Sequence, residues 1–544
     1  MLPKVQILDI LSEFCSKYSA SQDSAIEKPK PSVARVEEGR EYQIMKVDEF
    51  PEEMQHLVVP GPSGRYIYRC IHCNASYGIE KLLYICPECK SVLMIKDEEW
   101  ERLRSLPGLL WRKVFDYRSM LTVPALKGIY RYHELIGSVI PLEAIVYLGE
   151  GHTPIVEAND TLASWAGMPF YFKNDGQNPS ASFKDRGMAS AFSYLRYLIN
   201  SQGLADVLAI CASTGDTSAA AALYASYLTT GVKSAVLLPQ GKVTPQQLGQ
   251  PLGSGAKVIE IPGVFDDCMK VVEYLSENFA VALMNSKNAW RILGQESYSY
   301  EIAQAFDFEV TDLIAVVPIG NAGNITAVLQ GFLKLRDLGI ITCLPMILGV
   351  QSEHANPVFL YYLEPSAANR QFRSVNVRPS TAQAAMIGNP VSMPRVIHLV
   401  EQYRALAGER SVQVVQVSEQ EIMDSMLMAN RNGHIACTQG GESLAGIRKA
   451  VQEKRVPKSG VAVLDATAHA LKFATFQEKY FTDNFEPDFE VIPKPELQNA
   501  PHLIVPPEGT PRPQPGKQLD AEAFDEFVEY TSGAIAELLA LKKR

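Results

Sequence analysis

From about residue 152 to 475 the chain alternates short apolar runs with helix-compatible stretches, and this alternation constrains the fold more than any other feature. The runs VLAICAS, SAVLLP, KVIEIP, LIAVVPIG, MILGVQ and VAVLDATA are strand-length. Among them lie TSAAAALYASYL, VTPQQLGQPLGSG, VFDDCMKVVEYLSENF and ITAVLQGFLKLRDLG. Strands of this kind between helices hide their side chains in parallel sheets covered on both faces. The class is α/β, and 544 residues exceed a single compact core, so two or three units are expected. No periodic repeat interrupts the pattern.

An apolar fraction of 47 % with 21 % charged residues is ordinary for a soluble globular protein. The net charge of −10 argues against a nucleic-acid groove, which needs clustered Lys and Arg. Asp9 and Glu13 interrupt what would be the apolar region of a signal peptide, and no apolar run is long enough to span a bilayer. Nine cysteines, four in a tight cluster and five scattered, are not a secreted disulfide framework. A cytoplasmic chain with no membrane or nucleic-acid partner is expected.

The organisation reads as an N-terminal arm (1–65), a cysteine module (66–95), a connector (96–150), a main body (151–483) and a Pro-rich extension ending in a helix (484–544). In CIHCNASYGIEKLLYICPECK, Cys70, Cys73, Cys86 and Cys89 form two CxxC pairs, with a short hairpin expected across YGIEKLLYI. Two such knuckles complete a tetrahedral site for a structural zinc. A module held by packing or by a disulfide is the alternative; a redox CxxC leaves the second pair unexplained. The last stretch, LDAEAFDEFVEYTSGAIAELLALKKR, has a helical pattern with Lys542, Lys543 and Arg544 at its end.

Lys184, in NDGQNPSASFKDRGMAS, is the residue with most chemistry to offer. A lysine is usually a solvated surface group. This one follows an Asn-Pro turn and a run of small residues, sits beside Phe183, and enters a helix-compatible stretch. Small residues let the backbone approach a flat ligand, and a partly desolvated ammonium loses its proton more easily. An amine in that state can form a Schiff base. Two strand–loop–helix segments offer partners. Gly320, Asn321, Ala322, Gly323 and Asn324 can aim backbone N–H groups at one anion, with a helix N-terminus behind them, or can form a plain tight turn. Ser213, Thr214, Gly215, Asp216 and Thr217 can hold a carboxylate and meet a phenolic oxygen, or serve as an N-cap.

The set NPSASFKDRGM, CASTGDTSAA, MNSKNAWRILGQE, VVPIGNAGNITA, STAQAAMIGNPVS and VLDATAHALKF, with RYHELI and LGEGHTPIVEA ahead of it, resembles the threonine synthase family of fold-type II pyridoxal-phosphate enzymes. The similarity covers roughly 65–480. It implies two doubly wound parallel-sheet domains of the tryptophan-synthase-β kind with the cofactor between them. Lys184 is then the lysine that carries pyridoxal phosphate. Residues 320–324 become the cup for its phosphate, Asp216 lies near the ring hydroxyl, and Thr467 is the partner of the pyridine nitrogen. Asn285, Ser286, Asn288 and Arg291 bind the phosphate leaving group of a small phosphorylated amino acid. Arg brings a bidentate fork and Asn and Ser bring neutral donors. Ser213, Thr214 and Thr217 take the substrate carboxylate. The implied reaction makes L-threonine and phosphate from O-phospho-L-homoserine and water, in an enzyme expected to be a homodimer.

The chain departs from the family pattern in places. Ser180-Ala181 stands where Thr-Gly is usual, Ala470 where Gly is usual, and Cys437, Thr438 and Gln439 replace what plant-type members carry as a Pro-His-Thr-Gly loop. Two other readings follow: a cysteate-synthase-like replacement on O-phosphoserine, and an inactive zinc-ribbon binding protein. The intact Lys184, Asp216, glycine loop and Arg291 count against the second.

Overall fold

The computed structural model describes residues 52–543, apart from 205, 214, 229–230, 241–244, 264 and 458. Most of the expected N-terminal arm (1–51) therefore lies outside the described residues, as do Thr214 and Arg544; the arm's end holds a helix, Glu52–Val58. In chain order the strands are β1 (Tyr66–Cys70), β2 (Ser76–Gly78), β3 (Leu93–Asp97), β4 (Ile155–Glu157), β5 (Phe170–Lys173), β6 (Val207–Ala212), β7 (Val232–Pro239), β8 (Lys257–Ile261), β9 (Val281–Leu283), β10 (Leu313–Pro318), β11 (Met346–Ser352), β12 (Val412–Val417) and β13 (Val461–Asp465).

These strands make three sheets, ordered β2-β1-β3, β12-β11-β10-β13-β5-β4 and β8-β7-β6-β9. The four-stranded sheet is parallel throughout. The six-stranded one is parallel except for β4, which runs antiparallel to β5 at its edge. Its central strand β10 is buried along its whole length, which is why LIAVVP reads as a continuous apolar run rather than an alternating one. Two parallel α/β sheets are what the sequence led one to expect.

The cysteine module is a three-stranded antiparallel sheet. The hairpin expected across YGIEKLLYI does not form there: β1 takes β2 on one side and β3 on the other. Tyr84 is drawn instead to the four-stranded sheet, where its hydroxyl accepts from Leu283 N at 2.9 Å.

Parallel order brings the carboxyl ends of β5, β13 and β10 side by side, and in open α/β sheets ligands bind at that edge. The loops leaving it are 174–183, 466–469 and 319–322. Helices Lys184–Gln202 and Gly323–Asp337 follow the first and the last of these. The Lys184 helix is anchored by its third residue. Arg186 binds Asp175 through Nε and Nη2, each at 2.8 Å, and binds Glu301, which also pairs with Lys173 at 2.7 Å.

One compact unit runs to Phe476 and takes in Glu486–Val491; a second comprises Gln477–Phe485 and Ile492–Arg544. Within the second, the helix Ala521–Leu538 is capped by Asp520, whose side chain accepts from Ala523 N, and none of the helix side chains is buried. Among the described residues no helix is long and apolar enough to cross a membrane.

Candidate active site

The loop carrying Lys184 is laced to the loop after β13. Gly176 N donates to Ala466 O at 3.1 Å, Phe183 N to Thr467 O at 2.8 Å, and His469 N to Ala181 O at 3.1 Å. Ala181 is held at φ +63°, the left-handed region that favours glycine, at the position where the family pattern carries Gly. The turn's backbone shape is therefore kept although the residue is not. Ser180 N and Oγ both donate to Asp185 Oδ2, at 2.8 and 2.9 Å.

Lys184 is the first residue of its helix and half-buried, and its Nζ lies 3.6 Å from the centre of the Phe183 ring. Desolvation lowers its pKa from 10.5 to about 8. Asp216 and Asp465 oppose that shift, while Arg291 and Lys472 reinforce it. The amine is thus within reach of its free-base form near neutral pH, as an amine that must attack an aldehyde requires.

The glycine loop meets the same place. Ala322 takes φ +60° and opens the helix Gly323–Asp337, whose first N–H groups have no intrahelical partner. A Cβ on Gly320 would come within 2.9 Å of the Ala385 backbone. Asn324 reaches back to Asp465 Oδ2 at 2.7 Å. Behind the loop stands the altered 437–439 segment. With its amide oriented to satisfy its neighbours, Gln439 accepts from Gln383 N and Ala384 N at 3.3 and 3.1 Å. Cys437 caps the helix Thr438–Gln452, and its Sγ lies 3.6 Å from Thr467 Oγ1.

Asp216 opens the helix Asp216–Tyr227 and pairs with Lys472 at 2.8 Å. Ser213 Oγ accepts from Gly215 N at 3.3 Å, and Thr217 is half-buried one residue on. Thr214 lies outside the described residues.

The expected leaving-group cluster divides into two kinds of residue. The Asn285 amide bonds Ala212 in both directions, at 3.0 and 2.7 Å, and Asn288 caps the helix Ala289–Gln295 while donating to Leu283 O. Both amides are taken up in shaping the turn. Ser286 is half-buried beside them. Arg291 is 2 % exposed, donates Nη1 to Met284 O at 2.9 Å, and leaves Nε without a partner among the described residues. Among the described residues no carboxylate pairs with it, and burial lowers its pKa to about 10. Its environment is that of a cation awaiting an anion.

Buried polar atoms of native folds find partners, so the unpaired ones are informative. Ser182 Oγ, Asp185 Oδ1, Arg291 Nε and Asp465 Oδ1 all lack one among the described residues. With a desolvated amine and a glycine loop at a helix N-terminus, this donor and acceptor set fits a phosphorylated aldehyde cofactor.

In the cysteine module the four Sγ atoms lie within 4.8 Å of one another, and all four thiols are free. Sγ separations of 3.3 Å (Cys70–Cys89) and 3.6 Å (Cys73–Cys86) exceed a disulfide bond of about 2.05 Å and suit tetrahedral zinc. Such a site has no open position, so its metal would be structural.

Sequence reasoning missed Lys472, Asp465 and Arg395. Asp465 and Lys472 both lie within DATAHALKF, on either side of Thr467, and their placement beside Lys184 required the β13–β5 pairing.

A family model described as pyridoxal-phosphate dependent enzyme matches residues 146–466, the span of both parallel sheets. The threonine synthase of Methanocaldococcus jannaschii is 33 % identical over 410 residues, covering 75 % of this chain and 93 % of that protein. The chloroplastic threonine synthase 2 of Arabidopsis thaliana is 30 % identical over 441 residues, covering 80 % and 81 %. The crystal structure of Escherichia coli threonine synthase shares the fold at a TM-score of 0.56 and 19 % identity, covering 75 % of this chain and 90 % of that one. The chain belongs to the pyridoxal-phosphate-dependent enzymes and, within them, to the threonine synthase family.

Proposed function

We propose that the chain converts O-phospho-L-homoserine and water to L-threonine and phosphate. The observation that carries this reading is Arg291, a buried guanidinium near the Lys184 amine with no carboxylate partner among the described residues. An enzyme for unphosphorylated amino acids would have little use for it.

Pyridoxal phosphate, when bound, supplies the electron sink that stabilises negative charge at the substrate Cα. Lys184 and Phe183 would seat it, with Gly320, Asn321, Ala322, Gly323 and Asn324 around its phosphate, Asp216 near its ring oxygen and Thr467 at its nitrogen. Lys184 Nζ, with a pKa of about 8, takes the Cα proton. A Cβ proton then leaves with the phosphate, a proton is returned at Cγ, water adds its hydroxyl at Cβ, and the Cα proton is restored. Arg291 and Ser286 receive the departing phosphate, while Asn285 and Asn288 hold the turn that aims them. Ser213, Thr214 and Thr217 orient the carboxylate. The same reading divides the chain at 65, 95, 150 and 483 as above and places zinc on Cys70, Cys73, Cys86 and Cys89. It also makes the working form a cytoplasmic homodimer. The net charge of −10 supports the absence of a nucleic-acid partner.

The test is product analysis of cofactor-loaded protein. O-phospho-L-homoserine should yield threonine and phosphate in equal amounts, and Lys184→Ala should abolish both turnover and the visible absorbance of the bound cofactor. Cysteate formed from O-phosphoserine and sulfite instead would replace this reading, and loaded protein that consumes neither substrate would end it.

A further inference from the structure

Arg395 lies in the first turn of the helix Met393–Ala407 and has no exposed surface. Its guanidinium makes five hydrogen bonds, all to neutral oxygens. Nε and Nη2 donate to Leu93 O at 3.1 and 2.7 Å, and Nη2 also to Lys287 O at 3.3 Å. Nη1 donates to Ser286 O at 3.2 Å and to Ser392 Oγ at 3.0 Å. Among the described residues no carboxylate pairs with it, and burial lowers its pKa to about 9. An unpaired buried cation is costly, and a leucine would fill the space without that cost.

What the charge holds gives it a purpose. Met284 O is bound by Arg291, and Ser286 O and Lys287 O by Arg395, so two buried arginines clamp one turn through three carbonyls. In a trans peptide the C=O and the following N–H point opposite ways. Tying the Ser286 and Lys287 carbonyls to Arg395 therefore keeps their negative ends turned toward it rather than free to face an incoming anion. Ser392, which Arg395 also holds, donates its N–H to Asn321 O at 3.1 Å, and Leu93 begins β3 of the cysteine module. A single guanidinium thus ties together the module, the 284–288 turn and the glycine loop.

We infer that Arg395 is a positioning residue for anion binding, fixing the 284–288 turn so that Arg291 meets the departing phosphate. This rests on the reading of Arg291 given above. The experiment titrates inorganic phosphate calorimetrically into the cofactor-loaded protein and separates KM from kcat, using Arg395→Gln, Arg395→Lys and Arg291→Gln. Arg395→Gln should bind phosphate about tenfold more weakly, the worth of one charge-assisted hydrogen bond. It should raise KM by a similar factor and keep the cofactor absorbance. Arg395→Lys, with the charge but three donors in place of five, should recover part of that loss. If Arg395→Gln does not fold, Arg395→Lys decides alone. Lower thermal stability with wild-type phosphate affinity in either folded variant would overturn the inference. Loss of phosphate binding in Arg291→Gln but not in the Arg395 variants would overturn it alone. Wild-type phosphate binding in Arg291→Gln would instead remove the reading on which it rests.

Discussion

The ammonium of Lys472 stands 2.8 Å from Asp216 Oδ1, tying the loop after β13 to the helix that follows β6, and so one parallel sheet to the other. Lys472 also donates to Ser180 O at 3.0 Å, a carbonyl that Gln250 holds from the other side at 3.1 Å. The pair acts on Lys184 from two directions: Asp216 favours its charged form and Lys472 disfavours it. Replacing Lys472 by Met removes the cation and leaves the aspartate, so the Lys184 pKa should rise above about 8. An amine reacts with an aldehyde only when unprotonated, and a higher pKa moves the acid limb to higher pH. The pH dependence of pyridoxal-phosphate uptake by the apoprotein, followed by visible absorbance, reads this directly. Lys472→Met should shift the midpoint upward and Lys472→Arg should restore it; an unmoved midpoint in the Met variant would show that the pair has no hold on the amine.

Arg291 sets binding against stability. Its burial depresses its pKa to about 10, which means the fold bears the cost of its charge without a compensating anion among the described residues. Arg291→Met keeps most of the volume and removes that cost, giving up one bond to Met284 O. The variant should unfold at a temperature no lower than the wild type, while its KM for the phosphorylated substrate rises by about tenfold or more. Thermal denaturation and steady-state kinetics on the same preparation test the two halves. A variant that loses stability and keeps its KM would assign the arginine to structure.

Much of this site could be read from the chain because its parts are local. Lys184, the 320–324 loop and the two CxxC pairs each announce themselves within about a dozen residues, and β6, β7, β8, β10, β11 and β13 all stand out as apolar runs. β5 and β9 did not, since FYFK and VAL are too short to outweigh their flanks. Asn285 and Asn288 show the limit from the other side. Their identity matched an anion site, yet their amides are engaged by Ala212, Trp290 and Leu283, which only the folded turn reveals. Arg395 was illegible for a similar reason: its four acceptors are carbonyl or hydroxyl oxygens scattered from residue 93 to 392, and no spacing rule collects them.

Beneath the Lys184 helix, Glu301 binds Arg186 and Lys173 with all three side chains buried. Burial would raise the Glu301 pKa, but the two cations outweigh it and hold the carboxyl well below its ordinary 4.5. A carboxylate with a depressed folded-state pKa contributes stability that is present above its unfolded value and is lost as pH falls through the folded one. The network should thus hold unchanged down to about pH 4.5 and fail only in stronger acid. Glu301→Gln leaves two buried cations under-compensated and should cost about 3–5 kcal/mol at neutral pH. Because it no longer titrates, the variant should also lose less further stability in acid than the wild type. Denaturant unfolding over about pH 7 to about pH 3 tests both effects, and parallel losses in the two proteins would place the acid sensitivity elsewhere.

The cysteine module reaches the site through aromatic contacts as well as through Arg395. Trp290, next to Arg291, stacks on Tyr194 of the Lys184 helix at 4.2 Å and donates Nε1 to Tyr68 of β1 at 3.2 Å. A structural zinc on the four thiols would hold β1 and β3 in register, and its loss would first free the strands that touch Trp290 and Arg395. Metal analysis should find one zinc per chain. Chelation or Cys70→Ser should lower the unfolding temperature and change the near-ultraviolet signature of the Trp290–Tyr194 stack. At temperatures where the metal-free protein stays folded, cofactor absorbance should persist while KM for the phosphorylated substrate rises. That order of loss separates a module that seats the anion turn from one that merely adds stability, for which KM would hold until the whole fold gave way.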